Sequence, residues 1–235
     1  MFRHKGKTRN LKHNIGIASL LSFVAGIVNV VGFLAVQKLT TNVTGHFAFM
    51  VEEAFSFHFI QSFFYFFYIL SFLFGAFFSN FIIEITQKVT DKNIFVIPIF
   101  IEAILLLIIA LLNFNYIVQH PNLIACCLLF AMGLQNSLVT TISNSVVRTT
   151  HLTGLFTDLG IEISQLFFYK TLEQRTKLFS SIKLRITIIT TFFIGGILAG
   201  LFFSTYKMKT LLIASLILMI GLFVDYINVK LEEKK

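Results

Sequence analysis

The chain has no Trp, two Cys and two Pro, and only 13% of its 235 residues are charged. A soluble domain averages about 25% charged residues, so this shortage takes the chain out of that class. The two cysteines, Cys126 and Cys127, are adjacent, which excludes a loop-closing disulfide and a usefully spaced metal pair; they read as small packing residues. The 6 histidines are scattered without the i, i+4 pairing of a helical zinc site. No glycine-rich phosphate loop and no G-x-S-x-G elbow occurs. Metal chemistry, nucleotide hydrolysis and acyl transfer therefore lack local support, and the chain is read as a non-enzyme with no cofactor and no metal.

What is plentiful is apolar. Hydrophobic residues make up 56% of the chain, 30 residues are Phe, and mean hydropathy is +0.84. A spanning helix needs about 20 mainly apolar residues, because each advances about 1.5 Å through a core about 30 Å thick. Six stretches qualify: 15–36, 57–83, 94–112, 123–141, 186–203 and 210–227. The expected fold is an all-α polytopic membrane protein with six transmembrane helices.

The net charge of +8, from 19 Lys+Arg against 11 Asp+Glu, would suggest nucleic acid in a soluble protein. Its placement says otherwise. With six spans and the N-terminus inside, all but three of the 19 basic residues fall on the inner side, the exceptions being Lys38, Lys207 and Lys209. Short basic loops stay cytoplasmic, so both termini are expected in the cytoplasm, in a cell membrane, with no nucleic-acid partner.

The chain also repeats itself. Thr40-Thr41-Asn42-Val43-Thr44-Gly45 recurs as Thr149-Thr150-His151-Leu152-Thr153-Gly154, and the match continues through Phe47 with Phe156 and Glu53 with Glu162. Upstream, Gly26 and Asn29 parallel Gly133 and Asn136; downstream, Ser71, Gly75 and Ser79 parallel Thr191, Gly195 and Ala199. Each half reads as span, T-T-x-x-T-G segment, span, span. Three spans is an odd number, so the second half enters the membrane from the opposite side and the repeat is inverted. The expected organisation is a basic N-terminus over 1–14, a first three-helix repeat over 15–118, a second over 119–228 and a tail over 229–235. Inverted repeats are typical of transporters, whose sites lie near the midplane. Small residues at i, i+4 spacing, such as Ala18, Ser22 and Gly26, are read as close helix packing.

Polar groups inside spans are costly and mark candidate sites. Glu102, near the middle of its span, is read either as a hydrogen-bonded neutral acid or as a proton or cation site. Asn29 and Asn136 are weighed as helix glue or solute contacts. The segment after the second T-T-x-x-T-G has helical periodicity with Asp158 and Glu162 on its polar face; it is read as a surface helix capped by Thr or as a short helix aimed inward. Asn29, Thr44, Gly45, Glu102, Gln135, Asn136, Thr153, Gly154 and Asp158 are expected to form one substrate site between the halves. The expected function is a small-solute transporter or channel, the solute unknown, with the lipid bilayer and a second copy of the chain as possible partners. The competing expectation is a non-transporting interaction or scaffold protein whose small-residue faces bind partner helices.

At G-x-x-N-x-x-G-F (Gly26 to Phe33), N-V-T-G (Asn42 to Gly45), A-M-G-L-Q-N (Ala131 to Asn136), R-T-T-H-L-T-G (Arg148 to Gly154) and T-D-L-G (Thr157 to Gly160), the chain resembles the YoaK-type family of bacterial multi-pass membrane proteins, a domain-of-unknown-function family. The resemblance covers about residues 14 to 228. It implies about six spans and a cell-membrane location, and no established activity. Relatives often carry an acid where Asn29 stands and an amide where His46 stands, so the resemblance places no proton carrier at position 29.

Overall fold

The computed structural model describes residues 10–89 and 94–232. The basic residues Arg3, Lys5, Lys7, Arg9, Lys92, Lys234 and Lys235, on which part of the orientation rests, lie outside the described residues. Those described form helices and connecting turns, with no strand among them. In chain order the elements are α1 (Leu11–Val36), α2 (Thr44–Phe55), α3 (Phe59–Val89), α4 (Val96–Leu111), α5 (Phe114–Gln119), α6 (Pro121–Ser143), α7 (Leu152–Phe168), α8 (Leu172–Tyr206), a 3-10 turn (Lys207–Thr210) and α9 (Leu211–Glu232).

Local chemistry sets several ends. Asn10 caps α1 by accepting the His13 N–H at 3.0 Å, and the helix stops at Gln37, which adopts the left-handed conformation at φ 53°. Both prolines stand in first turns, Pro98 in α4 and Pro121 in α6, where no intrahelical donor is lost. Thr171 caps α8 by accepting from the Gln174 N–H at 3.3 Å.

Among the described residues, four apolar helical stretches are long enough to cross a membrane: Leu11–Val36, Phe59–Val89, Pro121–Ser143 and Leu172–Ile227. The last is 56 residues long and is broken at the 3-10 turn into α8 and α9. At 16 residues, α4 extends about 24 Å, shorter than the core of a bilayer. Surface and interior fit an integral membrane protein. On α3 only Tyr68, Gly75, Ser79 and Ile83 are buried, while Phe63, Phe67, Phe74, Phe77 and Phe81 are exposed. Such a face is untenable in water and inexpensive in lipid.

Backbone contact pairs the long helices. A Cβ on Gly26 of α1 would lie 2.0 Å from the Phe192 carbonyl oxygen of α8, and one on Gly195 would lie 2.2 Å from that of Phe23. Between α3 and α6 the arrangement is the same: a Cβ on Gly75 would meet the Phe130 oxygen at 2.1 Å, and one on Gly133 the Phe72 oxygen at 2.1 Å. Only glycine permits that approach, which is what the small-residue stripes lead one to expect. Residue numbers rise together along both pairs: Gly26 meets Phe192 while Val30 meets Gly196 and Gly200, and Tyr68 hydrogen-bonds Asn122 while Asn80 accepts from Thr141 at 3.3 Å. The α3 and α6 helices therefore run parallel, as do α1 and α8.

Candidate functional site

Each T-T-x-x-T-G segment is a corner tied to the helix before it by its first two threonines. In the first corner Thr40 Oγ1 donates to the Val28 carbonyl at 3.0 Å and Thr41 Oγ1 donates to Asn29 Oδ1 at 2.7 Å. In the second, Gln135 Nε2 donates to Thr149 Oγ1 at 3.0 Å and to the Leu21 carbonyl of α1 at 3.1 Å. Thr150 Oγ1 donates to Asn136 Oδ1 at 2.9 Å. The two asparagines thus receive matching hydroxyls, each linking a spanning helix to its corner. Gln135 Oε1 is buried and has no hydrogen-bond partner among the described residues.

A short helix follows each corner, and neither is capped by Thr. The N-caps are Val43 for α2 and His151 for α7, without a side-chain cap bond; in the first corner Asn42 Oδ1 accepts the Gly45 N–H at 3.1 Å. Thr-capped surface helices are corrected on this point: Thr44 and Thr153 are exposed inside the first turns. Gly45 and Gly154 admit a neighbour over those turns, since a Cβ there would sit 2.4 Å from the side chains of Leu39 and His151 respectively.

Beyond the corners the chemistry diverges. Against α2, His46 is buried; its Nε2 lies 2.6 Å from the Leu39 carbonyl, and its ring sits 5.0 Å from that of Tyr68 and 5.7 Å from that of Tyr65. Burial holds this imidazole below its ordinary range, opposed by the Leu39 hydrogen bond and assisted by Lys38. Lys38 Nζ donates to the Tyr65 hydroxyl at 3.4 Å. A pocket of about 310 Å³ opens here, lined by Lys38, Glu53, Gln61, Tyr65, Tyr68 and Asn122 among others. Against α7, Arg185 of α8 holds Glu162 through Nε at 2.9 Å and Nη2 at 3.0 Å and Asp158 through Nη1 at 2.9 Å. Ser181 Oγ donates to Glu162 as well. A pocket of about 530 Å³ adjoins this cluster and reaches Arg148, His151 and Gly154.

The nine expected site residues are therefore distributed. Asn29 and Asn136 hold the corners, Gln135 bridges α6 to α1, and Gly154 and Asp158 open onto the α7 pocket. Thr44 and Thr153 are exposed. Glu102, 1% exposed, is enclosed on α4, and neither carboxyl oxygen has a hydrogen-bond partner among the described residues. Sequence reasoning did not select Thr41, Thr150, Tyr65, Tyr68 or Arg185. The matched Glu53 and Glu162 were a usable signal, because a repeated acid asks for a partner, and Arg185 supplies it in one half. No group of three or more His, Cys, Asp or Glu able to hold a metal occurs among the described residues.

A family model described as protein of unknown function (DUF1275) matches residues 17–224. No curated protein and no solved structure matches the chain. The chain belongs to the DUF1275 family.

Proposed function

We propose that the protein is a small-solute transporter or channel of the cell membrane, built from two inverted three-helix repeats, with both termini cytoplasmic. The observation that carries this reading is the doubled corner: Thr41 on Asn29 and Thr150 on Asn136, at matching places in the two halves. The exchanged helix pairs support the inversion, since α1 of one half lies parallel to α8 of the other, and α6 lies parallel to α3. In this reading α1, α3, α4, α6, α8 and α9 are the six spans, α2 and α7 enter from opposite faces, and the YoaK-type likeness is retained. Packing alone asks for small residues and does not ask for hydroxyls facing amides twice.

The proposed solute path takes in Asn29, Thr44, Gly45, Glu102, Gln135, Asn136, Thr153, Gly154 and Asp158, which are spread along it and reach a solute only as the closed arrangement opens; Gly154 and Asp158 already line one pocket. The pockets beside α2 and α7 serve as its two entrances. No catalytic step, cofactor, metal or nucleic acid enters the reading. The test is flux of a panel of labelled small polar solutes into vesicles containing the purified protein. Wild-type vesicles accumulate or equilibrate one class of solute, and Thr44→Val with Thr153→Val stops that movement while leaving the folded protein intact. Full movement in both variants contradicts the site.

One observation favours the alternative, a non-transporting scaffold that binds partner helices or a second copy. The groove between α3, α4 and α6 is apolar, about 950 Å³ in volume, and lined by Phe74, Phe100, Ile104 and Phe130 among others. Vesicles that move none of the panel, together with a stable dimer in detergent, favour that reading.

A further inference from the structure

Glu102 is a buried carboxyl with no hydrogen-bond partner among the described residues. It lies mid-way along α4 between the buried residues Pro98, Ile99, Ala103 and Leu106. Its level follows from its neighbours. Phe100 and Ile101 share a groove with Phe130 of α6, and the Phe130 carbonyl is the one that abuts Gly75. The residues just before Glu102 thus border the same groove as the α6 residue at the α3–α6 glycine crossing. On the other side Ser215 of α9 donates to the Ala103 carbonyl at 2.8 Å, so a second helix seals the same level without bonding the carboxyl.

An ionised carboxylate enclosed in this way, with no partner, carries a desolvation cost of several kcal/mol that the neutral acid avoids. A hard metal cation would bring several oxygen ligands with it, and neither carboxyl oxygen has even one polar partner among the described residues. The ionisable groups on the helices packed against α4 are remote or otherwise placed. Asp225 stands ten residues past Ser215 on α9, about 15 Å along the axis, with Tyr226 and Lys230 beyond it. Lys207 and Lys209 of the 3-10 turn are exposed. Cys126 and Cys127 of α6 line the lipid-side groove, which Glu102 does not line. On α3, Tyr68 is bonded to Asn122, Tyr65 meets Lys38, and Glu84 and Lys88 lie nine or more residues past Gly75, at least about 14 Å along the axis. The ligand that neutralises a carboxylate without further coordination is a proton.

We propose that Glu102 is a proton-binding site, loaded as a neutral carboxylic acid in this closed conformation and emptied when the α4–α9 contact opens. On opening, the carboxyl O–H bond breaks, its electron pair stays on oxygen and the proton passes to water; reclosing requires its return. This inference rests on the transport reading and names its coupling ion. It also places the carrier on α4, away from the amide at Asn29.

The test is infrared spectroscopy of the purified wild-type protein and of Glu102→Gln, a variant of nearly the same shape. At neutral pH the difference spectrum should show loss of one protonated-carboxyl carbonyl band and no loss of carboxylate bands. Above the group's titration point the band should fall by roughly tenfold per pH unit and return on acidification. Loss of carboxylate intensity at neutral pH would overturn the proposal, and so would a band that never titrates. If Glu102→Gln does not fold, labelling of the wild type by a lipid-soluble carbodiimide, which needs a protonated carboxyl, replaces it: modification mapped to Glu102 at neutral pH supports the site, and an unmodified Glu102 contradicts it. Both readouts are independent of solute flux. A protonated Glu102 in vesicles that move no solute leaves the proton site and removes the transport reading, whereas an ionised Glu102 removes the proton site alone.

Discussion

Arg185 on α8 grips Glu162 on α7 with two parallel hydrogen bonds, Nε to Oε2 at 2.9 Å and Nη2 to Oε1 at 3.0 Å. In the repeat alignment Glu53 takes the place of Glu162, Tyr65 that of Arg185, and Phe49 that of Asp158. The Phe49 and Tyr65 rings lie 5.4 Å apart, where the other half has the Asp158–Arg185 ion pair. In one half an arginine of the following long helix grips both acids; in the other Glu53 meets His58 at 2.9 Å and the contact with the long helix is aromatic.

That asymmetry predicts different responses to substitution. Arg185→Leu leaves Glu162 and Asp158 without their cation and should destabilise the α7 corner by about 1–3 kcal/mol. Amide hydrogen exchange should rise in α7 and stay unchanged in α2. Equal loosening of both helices contradicts the account.

The glycine crossings make a second prediction. Alanine at Gly26 or Gly133 puts a methyl within 2.0 Å or 2.1 Å of a carbonyl oxygen on another helix, and backbone cannot yield as a side chain does. Each should lower stability in detergent by about 1–3 kcal/mol. Gly160 has nothing within 4 Å of its added Cβ, so Gly160→Ala should be neutral or stabilising by up to about 1 kcal/mol. Thermal unfolding of the three variants ranks them.

Thr41→Val and Thr150→Val remove the hydroxyls that Asn29 and Asn136 accept. Each should cost about 1 kcal/mol in unfolding experiments, with similar losses because the two bonds match. A loss confined to one half would mean that the corners are not equivalent.

His46 predicts a pH dependence. Its folded value is pushed below the ordinary 6.5 by burial, so the unfolded chain binds a proton more readily. Stability at this corner is then full above that ordinary value and falls as pH drops from it toward the folded value. Hydrogen exchange in α2 should rise on mild acidification in the wild type and lose that response in His46→Gln.

Much of the helical architecture was legible because long apolar stretches announce themselves by composition alone. All six expected stretches coincide with helices, yet their ends differ for physical reasons. The helix expected over 186–203 begins at Leu172, since Thr171 caps it and its first turns carry polar residues that a hydropathy reading discards. The stretch expected over 94–112 is helical only from Val96 to Leu111. Helix α1 begins at Leu11, inside the stretch assigned to the N-terminal arm, because Asn10 provides its cap. The repeat pointed to both corners, but not to the two hydroxyls, those of Thr41 and Thr150, that Asn29 and Asn136 accept. Which threonine of T-T-x-x-T-G turns inward depends on where Asn29 and Asn136 lie in space. Arg185 was read only as a positive charge for orientation, because its partners come from another helix.

The central claim is that the two T-T-x-x-T-G corners belong to oppositely oriented halves, and side-specific labelling tests it most directly. Thr44 and Thr153 are both exposed, so a single cysteine at either position, with Cys126 and Cys127 replaced by Ala, is open to a membrane-impermeant maleimide. Thr44→Cys should react in intact cells, and Thr153→Cys should react only after the membrane is opened. Reaction of both from the same side would contradict the inverted arrangement and, with it, the transport reading built upon it.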